Sequence, residues 1–242
     1  MAKVNGLNVR LYVEGYDLSG DANALSGLGY TNELLDVTTL DVSARKRIVG
    51  IVDGEISVDA FFDNASSKQH AVWTSNSGKQ PTADQEVLVP MGSAVGDPSV
   101  SLVSKQGTYS VTRAPGSAIA ANATFSANGS GIEFGEMLTA HDDTHSSAGS
   151  GTVVDSGAAT SNGGAGYLQL FSLASGSVTV KVQAATSSGG TYSDLVTFST
   201  VAAAAAPTSE RLTMSGTVAR YLKVTTTGTF SNAKIAVGFT RL

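Results

Sequence analysis

Apolar and polar residues alternate along much of this chain with a period of two, the period of a strand with one buried face. The clearest case is Glu55–Phe62, where Ile56, Val58, Ala60 and Phe62 fall on one side. Glu55, Ser57, Asp59 and Phe61 fall on the other, so that side carries two carboxylates, with Asp53 just ahead of them. Before this strand, Thr38–Gly50 is polar, holds the basic run Arg45-Lys46-Arg47 and ends at a glycine. It reads as a long excursion between two strands, without a core-forming pattern of its own.

The same period predicts strands over Asn8–Tyr16 and Glu33–Thr39, with a turn at Asp17-Leu18-Ser19-Gly20. After Phe62, Asp63-Asn64 offers an N-cap for a short helix over Ser66–Trp73, which ends in Ser-Asn-Ser-Gly. Ala65, Val72 and Trp73 are its expected inward contacts, with Trp73, the lone tryptophan, as a core anchor. Further strands are predicted at Glu86–Pro90, Ser99–Val103, Gly107–Arg113, Ala118–Ala127 and Gly131–Leu138. Turn chemistry separates them, and Asn128-Gly129 is a hairpin signal. Ala140–Gly151 is polar and rich in Gly and Ser, and reads as a linker or exposed connection.

Beyond it strands resume at Gly166–Leu173, Ser177–Ala184, Asp194–Thr200, Glu210–Met214, Arg220–Thr226 and Ala233–Thr240. Val178, Val180 and Val182 share a face, as do Ile235, Val237 and Phe239. Ala202–Ala206, closed by Pro207, is too short to stand as a helix and reads as a loop. The expected class is therefore all-β, mainly strand with one short helix. A barrel or sandwich over residues 1–146 is followed by a jelly-roll-like β-sandwich over residues 147–242.

Charge sharpens this division. The net charge of −5 splits into −8 over residues 1–146 and +3 over residues 147–242, which suits two units with different surroundings. Charged residues are only 14% of the chain, against about a quarter in an average soluble domain, so the surface is easily buried against neighbours. The absence of cysteine excludes disulfides and thiolate metal sites. No apolar run approaches the roughly 20 residues of a membrane span, and no membrane insertion is expected. MAKVNGLNVRLYV lacks the apolar region of a signal peptide, so assembly in a cytoplasm is expected.

Chemistry is sparse. His141, Asp142, Asp143 and His145 have a metal-like composition, but His-x-x-x-His presents two ligands together only on a helix. Solvated connection is the better reading there. There is no G-x-S-x-G elbow, His70 has no acid and nucleophile partner, and no phosphate-binding loop follows a strand. No catalytic residue, metal or cofactor is expected, and the chain does not read as an enzyme. Arg45-Lys46-Arg47 makes a weak nucleic-acid patch in an acidic unit. An intersubunit contact and an ordinary solvated loop both fit it, since exposed ion pairs contribute only about 0–1 kcal/mol.

A succession of segments nevertheless resembles one family. It runs through Tyr16-Asp17-Leu18-Ser19-Gly20, Leu35-Asp36-Val37-Thr38-Thr39 and Ala44-Arg45-Lys46-Arg47. It continues through Gly50-Ile51-Val52-Asp53-Gly54 into Ile56-Ser57-Val58-Asp59-Ala60-Phe61-Phe62-Asp63. Together these resemble the major tail (tail tube) proteins of long-tailed, siphovirus-type bacteriophages, over roughly the first 140 residues. The resemblance implies a virion protein that forms hexameric rings, stacked into a tube through which DNA passes without specific binding. It implies tape measure, tail terminator and tip proteins as partners, and ring stacking through a long loop at Thr38–Gly50. Thr38, Arg45, Lys46 and Arg47 become intersubunit candidates, and Asp53, Glu55 and Asp59 candidates for the acidic lining of the tube. The second half more loosely resembles decoration modules with carbohydrate-binding-type closing strands, at Arg220-Tyr221-Leu222-Lys223-Val224 and Ile235–Phe239. It would sit outside the tube, in weak contact with cell-surface glycans. The competing reading is a two-module carbohydrate-binding or adhesin protein that forms no tube; a hydrolase would need a convergent polar pocket.

Overall fold

The computed structural model describes residues 6–75 and 77–242. The signal-peptide reading rests partly on residues 1–5, and the predicted helix stop includes Asn76; these positions lie outside the described residues. The protein is all-β, with 56% strand and 3% helix. Its strands are β1 (Tyr12–Val13), β2 (Tyr16–Asp17), β3 (Ala22–Asp36) and β4 (Arg47–Phe61), then helix α1 (Gln69–Trp73). There follow β5 (Gln85–Pro90), β6 (Pro98–Thr112), β7 (Ala120–Ala127), β8 (Glu133–Met137), β9 (Thr144–His145), β10 (Gly149–Ser150) and β11 (Val154–Asp155). The last six are β12 (Gly164–Ala185), β13 (Ser193–Thr197), β14 (Val201–Ala202), β15 (Thr208–Met214), β16 (Tyr221–Thr227) and β17 (Phe230–Arg241). All are hydrogen-bonded into one network.

Alternation places the cores. Ile56, Val58 and Ala60 of β4 join Leu102, Phe125, Val72 and Trp73 in one apolar cluster that α1 covers. Ala65 is exposed and takes no part in it. Val178, Val180 and Val182 meet Ile235, Val237 and Phe239 in a second cluster, between the two sheets that β12 serves. The first part of β12 pairs with β15 and β17, and the second with β13 and β16. Between the two cores lies a third layer of Tyr12, Leu88, Met137 and Ala236, with Phe171 packed against it. Pairing of β8 with β17 closes that seam along one side.

Where the structure departs from the sequence pattern, long-range pairing is the reason. β3 starts at Ala22 and β4 at Arg47, so the excursion shrinks to residues 37–46 and the remainder is a long antiparallel ribbon. Leu34 opposite Val49 and Leu35 opposite Ile48 make strand out of a stretch without core pattern. The expected strand at Asn8–Tyr16 is cut by a turn at Glu14-Gly15, with φ of 52° and 78°. Glycine is required there, because a Cβ would lie 2.5 Å from the Thr208 nitrogen. Helix α1 begins only at Gln69; Asp63 instead accepts the Ala65 N–H (2.9 Å) in a local turn.

Asn128-Gly129 is not a hairpin. β7 and β8 both pair with β6, along residues 104–112 and 98–101, and continue one line interrupted by residues 128–132. Two predicted pairs of strands fuse, into β6 through a bulge near Gly107 and into β12, whose Ser175 and Gly176 stay paired with Ser231 and Phe230 across the expected break. Ala140–Gly151 holds β9 and β10, which pair with β17 and β16.

Candidate functional site

β4 pairs with β7 only from Glu55 to Phe61. Beyond Gly54, β3 and β4 have only each other, and project as a two-stranded arm of about eight rungs, about 25 Å. The base of the arm lies against Ile132, whose Cγ1 would be 2.7 Å from a Cβ at Gly54. Of the fifteen exposed large hydrophobics among the described residues, nine lie on this arm and its tip, including Tyr30, Leu34, Val49 and Ile51. Ile51 is 77% exposed. A two-stranded ribbon is at best marginally stable in water without something packed on it.

The tip carries the basic candidates. The Lys46 N–H donates to Thr38 Oγ1 (2.9 Å) and the Val37 N–H to the Lys46 carbonyl (2.9 Å), which pins the tip's neck. The Thr38 N–H donates to Asp36 Oδ1 (2.9 Å), and the contacts with Thr38 hold the Asp36 carboxyl below the usual range. Arg45, Lys46 and Arg47 are exposed, and among the described residues none has a carboxylate within ion-pair distance.

Asp53, Glu55 and Asp59 are exposed on the face of β4 opposite Ile56 and Val58. Asp53 Oδ1 accepts the Gly54 N–H (2.7 Å). Glu55 accepts the hydroxyls of Ser57 (3.0 Å) and Ser126 (3.4 Å). Across β3, β4, β7 and β6 the same face presents Ser26, Ser57, Asn122, Thr124, Thr108 and Ser110. Its one cation, Lys105, is engaged by Asp84 (2.8 Å). The face is thus short, polar and acidic, with Phe61 at its end, 52% exposed.

Sequence reasoning missed a second feature, a polar cluster at one end of the seam between the cores. Tyr167 donates its hydroxyl to Glu133 Oε2 (2.8 Å), and Arg211 donates to Tyr167 Oη (2.9 Å) and to Glu133. Burial lowers the Arg211 pKa, and the hydrogen bonds and charges of Glu133 and Tyr167 together outweigh it and hold it up. The Glu86 N–H donates to Glu14 Oε1 (2.6 Å), and the Arg211 N–H to Glu86 Oε1 (2.8 Å). Gln169 bridges the seam, accepting the Gly15 N–H (2.6 Å) and donating to the Glu86 carbonyl (3.1 Å). Burial, reinforced by Glu14, pushes the Glu86 carboxyl up to about 7. Nothing local announces these residues, because partners lie 34 to 154 positions apart.

The His/Asp stretch is structural. Asp142 is tied to Lys234 (2.6 Å) and Asp143 to His145 (3.3 Å). Among the described residues no group of three or more His, Asp or Glu is placed to hold a metal. No helix among them is long and apolar enough to cross a membrane.

No protein-family model matches the chain, and no curated protein does. Among solved structures, one neighbour comes from the virion of a native gene transfer agent particle, at 16% identity and TM-score 0.44, over 55% of this chain and 98% of that one. A chain in the tail of an empty gene transfer agent particle, refined with C6 symmetry, matches over the same shares at 18% and 0.41. The Dit protein of phage SPP1, from the hub of an adsorption apparatus, is 11% identical with a TM-score of 0.37, over 98% of this chain and 99% of its own. Tail tube, tube cap and hub proteins of phages and phage-like particles stand among the structural neighbours, and at these scores the likeness alone assigns no role.

Proposed function

We propose that the chain is the repeating structural unit of a phage-type tail tube, assembled into closed rings that stack through the β3–β4 arm. The observation that carries this reading is the arm: a ribbon exposing apolar side chains on a chain otherwise well packed. Full burial of one such side chain stabilises by about 1.5–3 kcal/mol, whereas an exposed ion pair contributes about 0–1 kcal/mol. The apolar strip therefore supplies the affinity, and the Arg45-Lys46-Arg47 tip with Thr38 sets salt dependence and register. Ring stoichiometry of six, and contact with tape measure, terminator and tip proteins, come with the family resemblance.

The acidic sheet face is assigned to the lumen. Asp53, Glu55 and Asp59, repeated in every copy, repel passing phosphate, so that DNA slides without sticking. Screening beyond about 10 Å at 0.1 M salt limits the effect to groups lining the channel. Residues 147–242 form the outer module. Lys223 over the Tyr192 ring (4.2 Å), and Arg220 over Tyr221 (5.1 Å) while paired with Asp155, give it an aromatic, polar surface suited to weak glycan contact. That surface also favours the adhesin reading. Negative-stain microscopy of the purified chain decides between them: rings or tubes support the tube, and dispersed monomers at high concentration sink it.

A further inference from the structure

We propose that Glu14, Glu86 and Glu133, gathered around Arg211, form a proton-operated latch on the seam between the two apolar cores. Protonated at Glu86, the latch holds β5 against β15; ionised, it lets this end of the seam part. The latch does not depend on the tube reading.

The groups come from every element that meets at this end of the seam. Glu14 is on the β1–β2 turn, Asp84 just ahead of β5, Glu86 on β5, Glu133 on β8, Tyr167 and Gln169 on β12, and Ser209, Glu210 and Arg211 on β15. Carboxylates outnumber the cations: Lys105 is taken by Asp84, and Arg211 is committed too. The Arg211 guanidinium donates to Glu133 and to Tyr167, so Glu86 faces no cation, only the backbone N–H of Arg211 and the nearby hydroxyl of Ser209, which also donates to Glu14. Glu86 Oε2 is buried and accepts no hydrogen bond. The charged neighbours that act on Glu86 are Glu14 and Glu210, both acidic. An ionised Glu86 therefore sits desolvated, facing like charge, with only neutral donors to satisfy it.

Burial and Glu14 put the folded carboxyl at about 7, against 4.5 for an unperturbed glutamate. Between these values the closed seam binds a proton that the open seam releases, so closure weakens as pH rises. Burial raises Glu14 as well, with Asp84 adding to it, in the same direction. The other end of the layer, Tyr12, Leu88, Met137 and Ala236, holds no carboxylate and stays closed, and β8 remains paired with β17. Opening is therefore local, a separation of the Glu14-Gly15 turn and β5 from β12 and β15.

Hydrogen exchange on the full chain tests this between pH 5.5 and 8.5, after correction for intrinsic base catalysis. Protection of the Gly15 and Arg211 amides, whose acceptors lie across the seam, should fall by about tenfold or more between pH 5.5 and 7 and level off above that, the limit for one proton being tenfold per pH unit. The Val237 amide, in the second core, should hold steady. Glu86→Gln keeps the shape without the titration and should flatten the profile. Glu14→Gln, a second variant should the first not fold, should move the fall to lower pH than 7 by sparing the folded state part of its burden of negative charge; since removing a like charge eases ionisation, the direction is fixed. A wild-type profile without a fall, a fall that persists in Glu86→Gln, or one unmoved by Glu14→Gln overturns the latch.

Discussion

The arm and the seam invert the usual distribution of polarity in opposite ways. The arm leaves Leu34, Val49 and Ile51 in water, while the seam takes Glu86, Glu133 and Arg211 out of it. Each inversion points to where the missing partner lies. The seam's groups are mostly satisfied within the chain, so its polar residues bind the two cores to each other. The arm's groups are not, so its partner lies outside, and a second copy is the partner proposed. Disruption should therefore act on folding at the seam and on assembly at the arm.

The largest expected effect is at the seam. Arg211→Ala leaves Glu133 buried without its cation, which costs about 3–5 kcal/mol when one partner of a buried pair is removed. Chemical denaturation of the variant should show that loss; a change below about 1 kcal/mol would mean that the seam is wet and the comparison false. Next comes the arm. Val49→Asp with Ile51→Asp should abolish rings and tubes in micrographs, yet change the subunit's unfolding free energy by only about 0.5 kcal/mol, as ordinary surface substitutions do. Equal damage to folding would place the partner of the arm within its own chain.

Smaller still is the tip. Replacing Arg45, Lys46 and Arg47 with Ser should weaken assembly, measured by sedimentation, most at low salt and hardly at all near 1 M, where screening shortens to about 3 Å. The least disruptive change is Glu55→Lys with Asp59→Lys. Both side chains are exposed, so tubes should form normally, and only DNA release should slow. Ejection at the wild-type rate would take these carboxylates off the channel wall. The proposed division into residues 1–146 and 147–242 meets the seam as well. Separating the pieces strips Glu133 of Arg211, and β8 of β17, so each piece should be less stable alone than in the chain.

Local pattern determined the strand class, the faces of β4, β12 and β17, and the burial of Trp73, because alternation and turn chemistry are properties of a few consecutive residues. Candidate surface residues could be named from the same alternation: once Ile56 and Val58 face a core, Glu55 and Asp59 face away. Pairing partners are not local. Whether Thr38–Gly50 stayed a polar loop or was drawn into an apolar arm depended on Leu34 meeting Val49 across a fifteen-residue strand. Whether Asn128-Gly129 turned a hairpin depended on β6 being long enough to hold β7 and β8 end to end. The seam depended on more distant meetings still, Glu133 with Tyr167 and Arg211, and Glu86 with Glu14. Such contacts are chosen by how sheets stack and what they exclude from water, and that is settled only when the whole chain has folded.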